Sequence, residues 1–564
     1  SPFACTKRNT VRFLPVNARA ILVELADLDQ TLALLHTLQA APIAGVCELV
    51  PAARTILIEF APHRISTTAL IREISARKLS ECVRSSDVLI EIPVTYNGDD
   101  LAEVAVILGV DADEIVRRHT ASEWSVAFTG FAPGFAYLTG GDPIFNVPRR
   151  DTPRTKVPAG AVALAGKFSA VYPQDSPGGW QLIGVTQTAM WDVSRDQPAS
   201  LQPGYRVRFV DVSRPSEIFL TNRSNHSLKG HADDRPLVAQ ERPCSDADKT
   251  LDDNAKALRV RATGLLTVFQ DLGRSGQAAQ GVSASGAMDQ KAIKAANRLV
   301  GNASDAAALE TIGGGLALQS RGDNVVAITG ADAPITLTTE DGRSWPIARY
   351  QALALADGDT IRLGQPSAGA RCYVAVRGGY GVAPILNSAS TDTLAKVGPP
   401  ALRTGQLLPI HAARCHASVG ATEQTPEDLP RLERDVVLDV QPGPRMDWFT
   451  PEAVTLLTQQ RWQVTPQSNR VGLRLAGKLP LKRIITDELP SEGTPLGAIQ
   501  VPASGQPVLF LADHPLTGGY PVIGCVAPHH LDVAGQIPVG AWIRFNVMGA
   551  FEELTPKAPS RKFV

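Results

Sequence analysis

The sequence has few of the features that mark nucleic-acid-binding or membrane-spanning proteins. Its 564 residues carry a formal net charge of -1, and only 20% of them are charged. No basic field is therefore available to hold a nucleic acid or an anionic membrane. No run approaches the ~20 apolar residues of a membrane-spanning helix, and the N-terminal SPFACTKRNT lacks the apolar core of a signal peptide. These absences favour a cytoplasmic enzyme that acts on a small molecule.

Signs of disulfide or metal chemistry are also missing. The seven cysteines are odd in number and far apart, without a C-x-x-C pair, which argues against a disulfide framework or a zinc knuckle. The adjacent His529 and His530 lack the i, i+4 spacing of a helical metal pair, so we expect no metal site. His119 lies at a predicted helix end and is interpreted as structural, with an acid/base role as the alternative.

Motifs for nucleotide binding and covalent catalysis are absent as well. The segment nearest to G-x-x-x-x-G-K-[ST], Gly160 to Phe168, has one residue too many and a phenylalanine where the hydroxyl belongs. No G-x-S-x-G elbow occurs, which argues against a hydrolase-type serine nucleophile. None of the four methionines is followed by the lysine of a biotin-carrier hairpin. We therefore expect this chain to bind no cofactor of its own.

Turn-forming residues are plentiful, and they predict the fold class. The chain has 47 glycines and 42 prolines spread along its length, which is typical of many turns and a β-rich architecture. Residues 20–92 alternate in the β-α-β-β-α-β order of a ferredoxin-like unit. We predict an α+β, β-rich chain with these divisions: a ferredoxin-like module over 1–90, a β-barrel over 91–212, a linker over 213–257, a domain of two β-rich lobes over 258–548 and a tail over 549–564.

Two segments repeat each other across the linker. SPGGWQLIGVT at Ser176–Thr186 parallels LTGGYPVIGCV at Leu516–Val526, and each has Gly-Gly-aromatic followed by an Ile-Gly turn. We infer that both halves contain barrels of the same kind, with chance similarity between hairpins as the alternative. The polar linker between two self-contained halves indicates two subunits fused into one polypeptide.

Polar side chains in loops framed by glycine and proline form the candidate site. Arg149, Arg150 and Arg154 lie among prolines and are suited to bind a carboxylate, although pairing with surface acids is the alternative. Arginines and backbone amides polarise a carbonyl, and a carboxylate can take a proton, so the set fits chemistry at a carbonyl. As catalytic residues we predict Arg154, Glu488, Glu492 and Asp513. As substrate-binding residues we predict Arg149, Gln174, Ser176, Gly178, Gly179, Gln270, Arg274, Ser285, Ser468, Asn469, Arg470, Gln500 and Thr517.

Longer motifs give the first half a family resemblance. F-x-P-G-F-x-Y-L at Phe131–Leu138, V-P-R-R…P-R…V-P-A-G at Val147–Gly160 and Y-P…S-P-G-G-W-Q-L-I-G at Tyr172–Gly184 resemble allophanate hydrolase subunit 1. That family is also known as the 5-oxoprolinase B subunit or KipI.

The second half resembles the companion family, allophanate hydrolase subunit 2, which is also known as the 5-oxoprolinase C subunit or KipA. The motifs are Q-D-L-G-R-x-G at Gln270–Gly276, A-N-R-L-V-G-N at Ala296–Asn302, S-N-R-V-G-x-R-L at Ser468–Leu475 and E-L-P-S-E-G at Glu488–Gly493. The resemblance implies cyclophilin-like β-barrels in both halves and kinship with the carboxyltransferase domain of urea carboxylase.

The function that the resemblance implies has three alternatives. The first is a component of an ATP-dependent 5-oxoprolinase, which converts 5-oxoproline to glutamate with a separate LamB/YcsF-like catalytic subunit that holds the ATP. The second is a carboxyltransferase component that takes carboxybiotin from a partner chain and acts on urea or a related small amide or amine. The third is a regulator of a sensor histidine kinase. Homo-oligomerisation is left open.

One segment departs from the family. Members typically have G-S-R-S-T where this chain has Asn387, Ser388, Ala389, Ser390 and Thr391. The arginine that could contact an anionic substrate is therefore missing at Ala389. We expect this change to bear on substrate identity.

Overall fold

The computed structural model describes residues 11–79, 86–152, 154–213, 255–413 and 418–556. Strands predominate in these ranges, which confirms the α+β, β-rich class. No helix in them is long and apolar enough to cross a membrane. Residues 214–254 of the predicted linker and 557–564 of the predicted tail lie outside the described residues, as do Cys5, Cys82, Cys244 and Cys415.

The N-terminal module is a four-stranded antiparallel sheet covered by two helices. Its elements are β1 Arg12–Asn17, β2 Ala20–Glu24, α1 Leu28–Ala40, β3 Val46–Pro51, β4 Thr55–Phe60 and α2 Thr67–Ser75, and the strand order is β1-β2-β4-β3. Asp27 caps α1 by accepting a hydrogen bond from the Gln30 N–H at 2.9 Å, and Ser66 caps α2 through the Ala69 N–H at 3.2 Å.

The ferredoxin-like order predicted for this module is not confirmed. Its expected last strand, β5 Leu89–Val94, pairs in parallel with a strand of the next domain. The place beside β2 is filled instead by β1, whose residues Phe13, Leu14 and Val16 are buried. The alternating pattern of β5 fits either sheet, so its sequence does not specify the partner. The predicted boundary at residue 90 consequently falls inside β5.

The first barrel follows. After β5 its elements are α3 Leu101–Leu108, α4 Ala112–Ala121, β6 Trp124–Thr129, β7 Ala136–Thr139, β8 Arg154–Val157, β9 Ala161–Ala165, β10 Phe168–Val171, β11 Ser176–Gly178, β12 Gln181–Val185 and β13 Arg206–Asp211. The seven-stranded order is β12-β9-β10-β7-β6-β13-β5, and β8 and β11 form a separate ribbon. Reciprocal backbone hydrogen bonds of 2.9 Å between Thr95 and Val185 join the two edge strands and close the barrel.

The middle lobe is a β-sandwich. Its elements are β14 Ala257–Thr263, β15 Leu266–Gln270, α5 Gln290–Leu299, β16 Ala308–Ile312, β17 Leu316–Arg321, β18 Asn324–Asp332, β19 Ile335–Thr338, β20 Ser344–Ile347, β21 Ala352–Leu355, β22 Thr360–Leu363, β23 Ala368–Val376 and β24 Leu407–Pro409. One sheet has the order β20-β19-β22-β17-β14-β24 and the other β15-β16-β23-β18-β21. Their facing side chains form one apolar core, and α5 packs on the outer face of the second sheet.

The second barrel ends the described chain. Its elements are β25 Val436–Pro442, α6 Pro451–Gln459, β26 Trp462–Val464, β27 Gly472–Ala476, β28 Glu492–Gly493, β29 Ala498–Gln500, β30 Val508–Phe510, β31 Thr517–Gly518, β32 Val522–Val526, α7 Leu531–Gly535 and β33 Trp542–Val547. The closed order is β25-β32-β29-β30-β27-β26-β33, with β28 and β31 as a separate ribbon. The segment after β33 returns to the N-terminal module, where the Leu554 N–H donates to the Phe13 carbonyl at 2.8 Å.

The two barrels have the same topology. Each has one parallel pair, β5 with β13 and β25 with β33, and the remaining strands follow in matching antiparallel order. Matching backbone bonds fix the register, since the Asp100 N–H donates to Leu182 O and the Arg445 N–H donates to Val522 O, both at 2.9 Å. The prediction of two barrels of one kind is therefore confirmed.

Candidate functional site

A cavity lies where the two barrels and the middle lobe meet. Its volume is about 320 Å³, which is in the range of small-molecule sites. The first barrel contributes Phe131, Pro133, Gln174 and Ser176, the middle lobe contributes Ser283, Asp392 and Leu394, and the second barrel contributes Asn469, Arg474, Gln500, Phe510, His514 and Tyr520. We call it the central cavity.

The two barrels differ in how they present one face at this point. Tyr520 and Phe510 of the second barrel correspond in register to Trp180 and Tyr172 of the first. In the first barrel these rings pack edge to face with Phe135, at centroid distances of 5.4 and 5.3 Å. Aromatic rings therefore pack on this face of the first barrel, and Trp180 borders a different cleft, whereas the same face of the second barrel lines the central cavity.

A serine and a carboxyl group stand together on the middle-lobe wall. The Ser283 hydroxyl donates to Asp392 Oδ2 at 2.9 Å, and the N–H groups of Leu394 and Ala395 donate to Oδ1 at 3.0 and 2.8 Å. Burial, together with the nearby charge of Asp513, raises the pKa of Asp392 to about 7. Asp392 can therefore exchange a proton near neutral pH.

Amide and hydroxyl groups occupy the barrel walls. Gln500 Nε2 donates to Tyr520 O at 3.5 Å, Gln174 Nε2 donates to Leu394 O at 3.2 Å, and Asn469 Oδ1 accepts from the Val471 N–H at 2.9 Å. The Ser176 hydroxyl is buried and has no hydrogen-bond partner among the described residues. Gln174, Ser176, Asn469 and Gln500 are the predicted substrate-binding residues that line the central cavity.

His514 adds a neutral imidazole to the same wall. Its Nδ1 lies 2.8 Å from the Pro515 carbonyl, so Nδ1 carries the proton and donates it. Burial lowers the pKa of His514, which favours the neutral ring. The lone pair of the imidazole is then on Nε2.

A buried ion network lies behind Asp392. Arg470 binds Asp513 through two hydrogen bonds, Nε to Oδ2 at 2.9 Å and Nη2 to Oδ1 at 3.0 Å, and it also pairs with Glu310. Ser285 Oγ donates to Asp513 Oδ1 at 2.7 Å. Burial raises the pKa of Asp513, but the Arg470 guanidinium lowers it overall. The predicted residues Asp513, Arg470 and Ser285 thus form a support for the cavity wall, because Thr393 N–H also donates to Asp513, at 2.8 Å.

Two further predicted residues hold the loop that departs from the family pattern. Arg274 donates to the carbonyl oxygens of Ser388 and Ser390, and Gln270 Nε2 donates to Thr391 O at 2.8 Å. The Ala389 N–H donates to Asp271 at 2.7 Å, and the Ala389 side chain is buried. Neither Gln270 nor Arg274 lines the central cavity.

The predicted catalytic residues Arg154 and Glu492 lie in ion pairs within the barrels. Arg154 donates to both oxygens of Asp100, at 2.8 and 2.7 Å, and Glu492 accepts from Arg445 Nε at 2.9 Å. Gly178 is required by packing, since a Cβ there would lie 2.3 Å from the Tyr172 hydroxyl oxygen. The Gly179 carbonyl accepts from the Arg150 N–H at 2.8 Å.

The other predicted residues lie at the junction of the halves or on the outer surface. Arg149 donates to Ser491 Oγ at 2.8 Å and lies 3.2 Å from Glu488, in a cleft of about 640 Å³ between the first barrel, the N-terminal module and the second barrel. We call it the second cleft. Thr517 is buried 3.4 Å from the Tyr137 hydroxyl. Ser468 Oγ accepts from the Arg474 N–H at 2.9 Å.

The histidines that drew attention in the sequence are one buried residue, His119, and an adjacent pair, His529 and His530. His119 is fully buried between the Tyr96 hydroxyl at 2.7 Å and Ser169 Oγ at 2.8 Å, and burial lowers its pKa to about 3. His529 and His530 meet Asp439, with their ligand-type atoms within 4.8 Å of one another. Two of these groups are already engaged, because His529 Nε2 lies 2.8 Å from the Asp439 carboxylate and His530 Nδ1 accepts from the Asp439 N–H at 2.8 Å.

Sequence reasoning missed the ionisable groups of the central cavity. Asp392, His514 and Arg474 were not predicted as site residues. Asp392 and His514 stand in loops without a motif of catalytic spacing, and Arg474 lies on a strand inside the motif at Ser468–Leu475. These residues reach one cavity only because the two barrels and the middle lobe pack against one another.

Comparison with known proteins assigns both halves. The family model described as "Carboxyltransferase domain, subdomain C and D" matches residues 11–201, and the model described as "Carboxyltransferase domain, subdomain A and B" matches residues 280–547. The crystal structure of TTHA0988 is similar over 94% of this chain and 99% of that chain, with a TM-score of 0.75 and 33% identity.

Two curated relatives match one half each. The 5-oxoprolinase C subunit of Escherichia coli (strain K12) is 33% identical over 309 residues, which cover 54% of this chain and 96% of the relative. The 5-oxoprolinase B subunit of Escherichia coli O157:H7 is 40% identical over 170 residues, which cover 29% of this chain and 78% of the relative. In this chain the regions similar to the two subunits lie in a single polypeptide.

Proposed function

The chain belongs to the carboxyltransferase-domain family that includes the B and C subunits of 5-oxoprolinase, and we propose that it is the fused B–C component of an ATP-dependent 5-oxoprolinase. In this proposal it opens 5-oxoproline to glutamate together with a separate LamB/YcsF-like partner. Its relatives are named as parts of an enzyme, so an enzyme component is the general role. The choice of substrate is the specific proposal.

One observation carries the proposal. The central cavity takes Phe131, Gln174 and Ser176 from the B-like half and Asn469 and Gln500 from the C-like half. Neither half alone encloses it. A fused chain keeps both walls together at high effective concentration, which suits a single site built from two subunits.

The cavity groups match the chemistry of opening a lactam. Hydrolysis breaks the ring C–N bond, forms a C–O bond to water and leaves a proton on the ring nitrogen. The amides of Gln500 and Asn469 supply donors for the lactam carbonyl. Asp392 lines the cavity and has a pKa of about 7, so in this proposal it takes a proton from water and returns it to the leaving nitrogen.

Supporting groups keep Asp392 in position. The Ser283 hydroxyl and two backbone N–H groups bind its two oxygens, and the Arg470–Asp513 network fixes the neighbouring Thr393. ATP, held by the LamB/YcsF-like partner in this proposal, would supply the free energy for opening the ring. The residues of this chain bind the substrate, orient it and move the proton.

Carboxyl transfer is the second candidate, and the description of the family models favours it. In that case the cavity would receive a carboxyl group carried by biotin on a partner chain. The guanidinium of Arg474 and the amides of Gln500 and Asn469 fit a carboxylate and a ureido carbonyl. The acceptor would then be urea or a related small amine or amide.

A reconstitution experiment separates the two candidates. Glutamate release from 5-oxoproline is measured with the purified chain, with the LamB/YcsF-like partner, and with both, each with and without ATP. We expect release only when the chain, the partner and ATP are all present. No release from the complete mixture, together with carboxylation of urea when a carboxybiotin-loaded protein is supplied, would establish the carboxyltransferase instead. The role as a sensor-kinase regulator stays a prediction.

A further inference from the structure

We propose that Arg474 binds the carboxylate of the substrate and makes the central cavity selective for anionic small molecules over neutral amides. The inference rests on the proposed function only in taking the central cavity as the substrate site. It concerns a residue that lies in the motif at Ser468–Leu475 but is not among the predicted site residues. It also bears directly on the choice between 5-oxoproline, which is an anion, and urea, which is neutral.

Arg474 is the only arginine or lysine among the described residues that line the central cavity. It lies on β27, where it pairs with Val508 of β30. Its N–H donates to Ser468 Oγ at 2.9 Å, and its carbonyl accepts from the Thr465 N–H at 2.9 Å. The backbone of Arg474 is therefore fixed, while the residue is exposed and lines the cavity.

The guanidinium of Arg474 has no acidic partner in the part of the chain that the structure describes. Three arginines that the sequence singled out are different, because Arg154 pairs with Asp100, Arg149 with Glu488 and Arg470 with Asp513. Their charges are already neutralised by the protein. Among the described residues that line the central cavity, Arg474 is the arginine available to bind an external anion.

The carboxyl group of Asp392 does not neutralise Arg474. Asp392 is the only acid that lines the cavity among the described residues, and its oxygens are bound by Ser283 and by backbone N–H groups. Burial raises its pKa to about 7, whereas a bound arginine would lower that pKa. The cavity thus presents a cation and a carboxyl group with a pKa of about 7 as two separate features.

Comparison of the two barrels supports a specific role. The register of β7 with β10 and of β27 with β30 places Tyr137 of the first barrel at the position of Arg474. Tyr137 packs there against Trp180, with centroids 5.5 Å apart. Arg474 therefore stands on the face that lines the central cavity, and the equivalent face of the first barrel, which lines the second cleft, has an aromatic ring in its place.

The chemistry of recognition follows from the guanidinium. A planar fork of N–H donors binds a carboxylate through two parallel hydrogen bonds. The amides of Gln500 and Asn469 line the same cavity and can bind a carbonyl. A ring that carries both a carboxylate and an amide satisfies both sets of groups, whereas urea bound without carboxybiotin leaves the cation unpaired.

The test compares 5-oxoproline with 5-oxoprolinamide, which has the same ring but no charge, by calorimetric titration of the whole chain, alone and with the LamB/YcsF-like partner. We expect the wild-type chain to bind the acid at least tenfold more tightly than the amide. Arg474→Met should weaken binding of the acid tenfold or more and leave binding of the amide unchanged. Arg474→Lys should recover part of the affinity. The control Arg362→Met, an exposed arginine on β22, should bind the acid as the wild type does.

Several outcomes overturn the inference. They are equal affinity for the acid and the amide, an unchanged affinity for the acid in Arg474→Met, or no binding of either compound by the wild-type chain alone or with its partner. Thermal unfolding of each variant shows that the fold is kept. If the acid binds through Arg474 but no glutamate is released with the partner and ATP, the inference stands and the 5-oxoprolinase proposal fails.

Discussion

Arg154 and Glu492 occupy equivalent positions in the two barrels and carry opposite charges. Arg154 pairs with Gly178 across one ribbon, and Glu492 pairs with Gly518 across the other. Their ion-pair partners also have opposite charges, since Arg154 binds Asp100 and Glu492 binds Arg445. The two barrels have the same topology, and each has an ion pair at this position, but the charges of the pair are reversed between them.

The loops beside these pairs are complementary to each other. The loop before β8 carries Arg149 and Arg150, whereas the loop before β28 carries Asp487 and Glu488. Arg149 lies 3.2 Å from Glu488 across the junction. Because the two loops carry opposite charges, the halves attract each other at this junction, whereas loops of the same charge would repel.

Removing the cation from the buried pair should destabilise the fold. Arg445→Met leaves Glu492 and Glu24 without their shared partner; the Arg445 and Glu492 side chains are only 6% and 7% exposed. We expect a loss of about 3 to 5 kcal/mol in the free energy of unfolding, because an uncompensated buried charge remains. Chemical denaturation measures it. The exposed pair Arg298–Glu423 provides the control, and Arg298→Met should have a far smaller effect.

Replacing a buried acid should stabilise the protein at high pH only. Glu59 lies directly opposite Glu48 on the neighbouring strand, and burial raises its pKa to about 7. Because the pKa is raised, the folded state favours the protonated form of Glu59. The stability that protonated Glu59 contributes below about pH 4.5 is therefore lost as the pH rises through 7. Glu59→Gln should therefore add about 1 to 3 kcal/mol at pH 8 and nothing at pH 4.5.

Denaturation at both pH values checks this prediction. The control is Glu73→Gln on α2, an exposed residue that should show no such difference. Equal effects of Glu59→Gln at pH 4.5 and pH 8 would contradict the assigned protonation.

The two halves should stay together when the connection between them is cut. The Gly134 N–H donates to Gln280 O at 3.0 Å, Arg149 binds Ser491 at 2.8 Å, and Glu48 accepts from the Gly276 N–H at 2.8 Å. Each contact joins one half to the other. A protease site inserted between residues 230 and 240 should yield two fragments that elute as one species in size-exclusion chromatography at moderate salt. Separation of the fragments would show that the contacts do not suffice.

The proton-transfer role of Asp392 predicts a pH profile. If ionised Asp392 takes a proton from water, glutamate release by the chain with its LamB/YcsF-like partner should fall as the pH drops below about 7, the pKa of this carboxyl group. Asp392→Asn should lower the rate by about 10² to 10⁴, whereas the exposed Asp428→Asn should not change it. A wild-type rate in Asp392→Asn would remove this residue from the mechanism.

The repeat between the two halves made the barrels predictable from the sequence. The Gly-Gly-aromatic segments at Gly178 and Gly518 each form a ribbon strand followed by a barrel strand, β12 or β32. Such glycines can be recognised in the sequence because local packing requires them, since a Cβ at Gly178 would clash with Tyr172. The partner of β5 was not predictable, since it pairs with β13 more than a hundred residues later and its alternating pattern fits either sheet.

The candidate site was predictable only in part. Gln174, Ser176 and Asn469 line the central cavity and lie in segments that the motifs marked, and Gln500 lines it at the end of β29. The catalytic roles of Arg154 and Glu492 stay predictions, and a sequence does not show that their charges are paired inside the barrels. Asp392 and Arg474 become neighbours of one cavity only through the packing of the middle lobe against the second barrel.

The crystal structure of the chain with 5-oxoproline bound tests the central claim most directly. We expect the ligand in the central cavity, with its carboxylate on Arg474 and its ring amide near Gln500 and Asp392. A ligand found instead in the second cleft beside Arg149 and Glu488 would contradict the account.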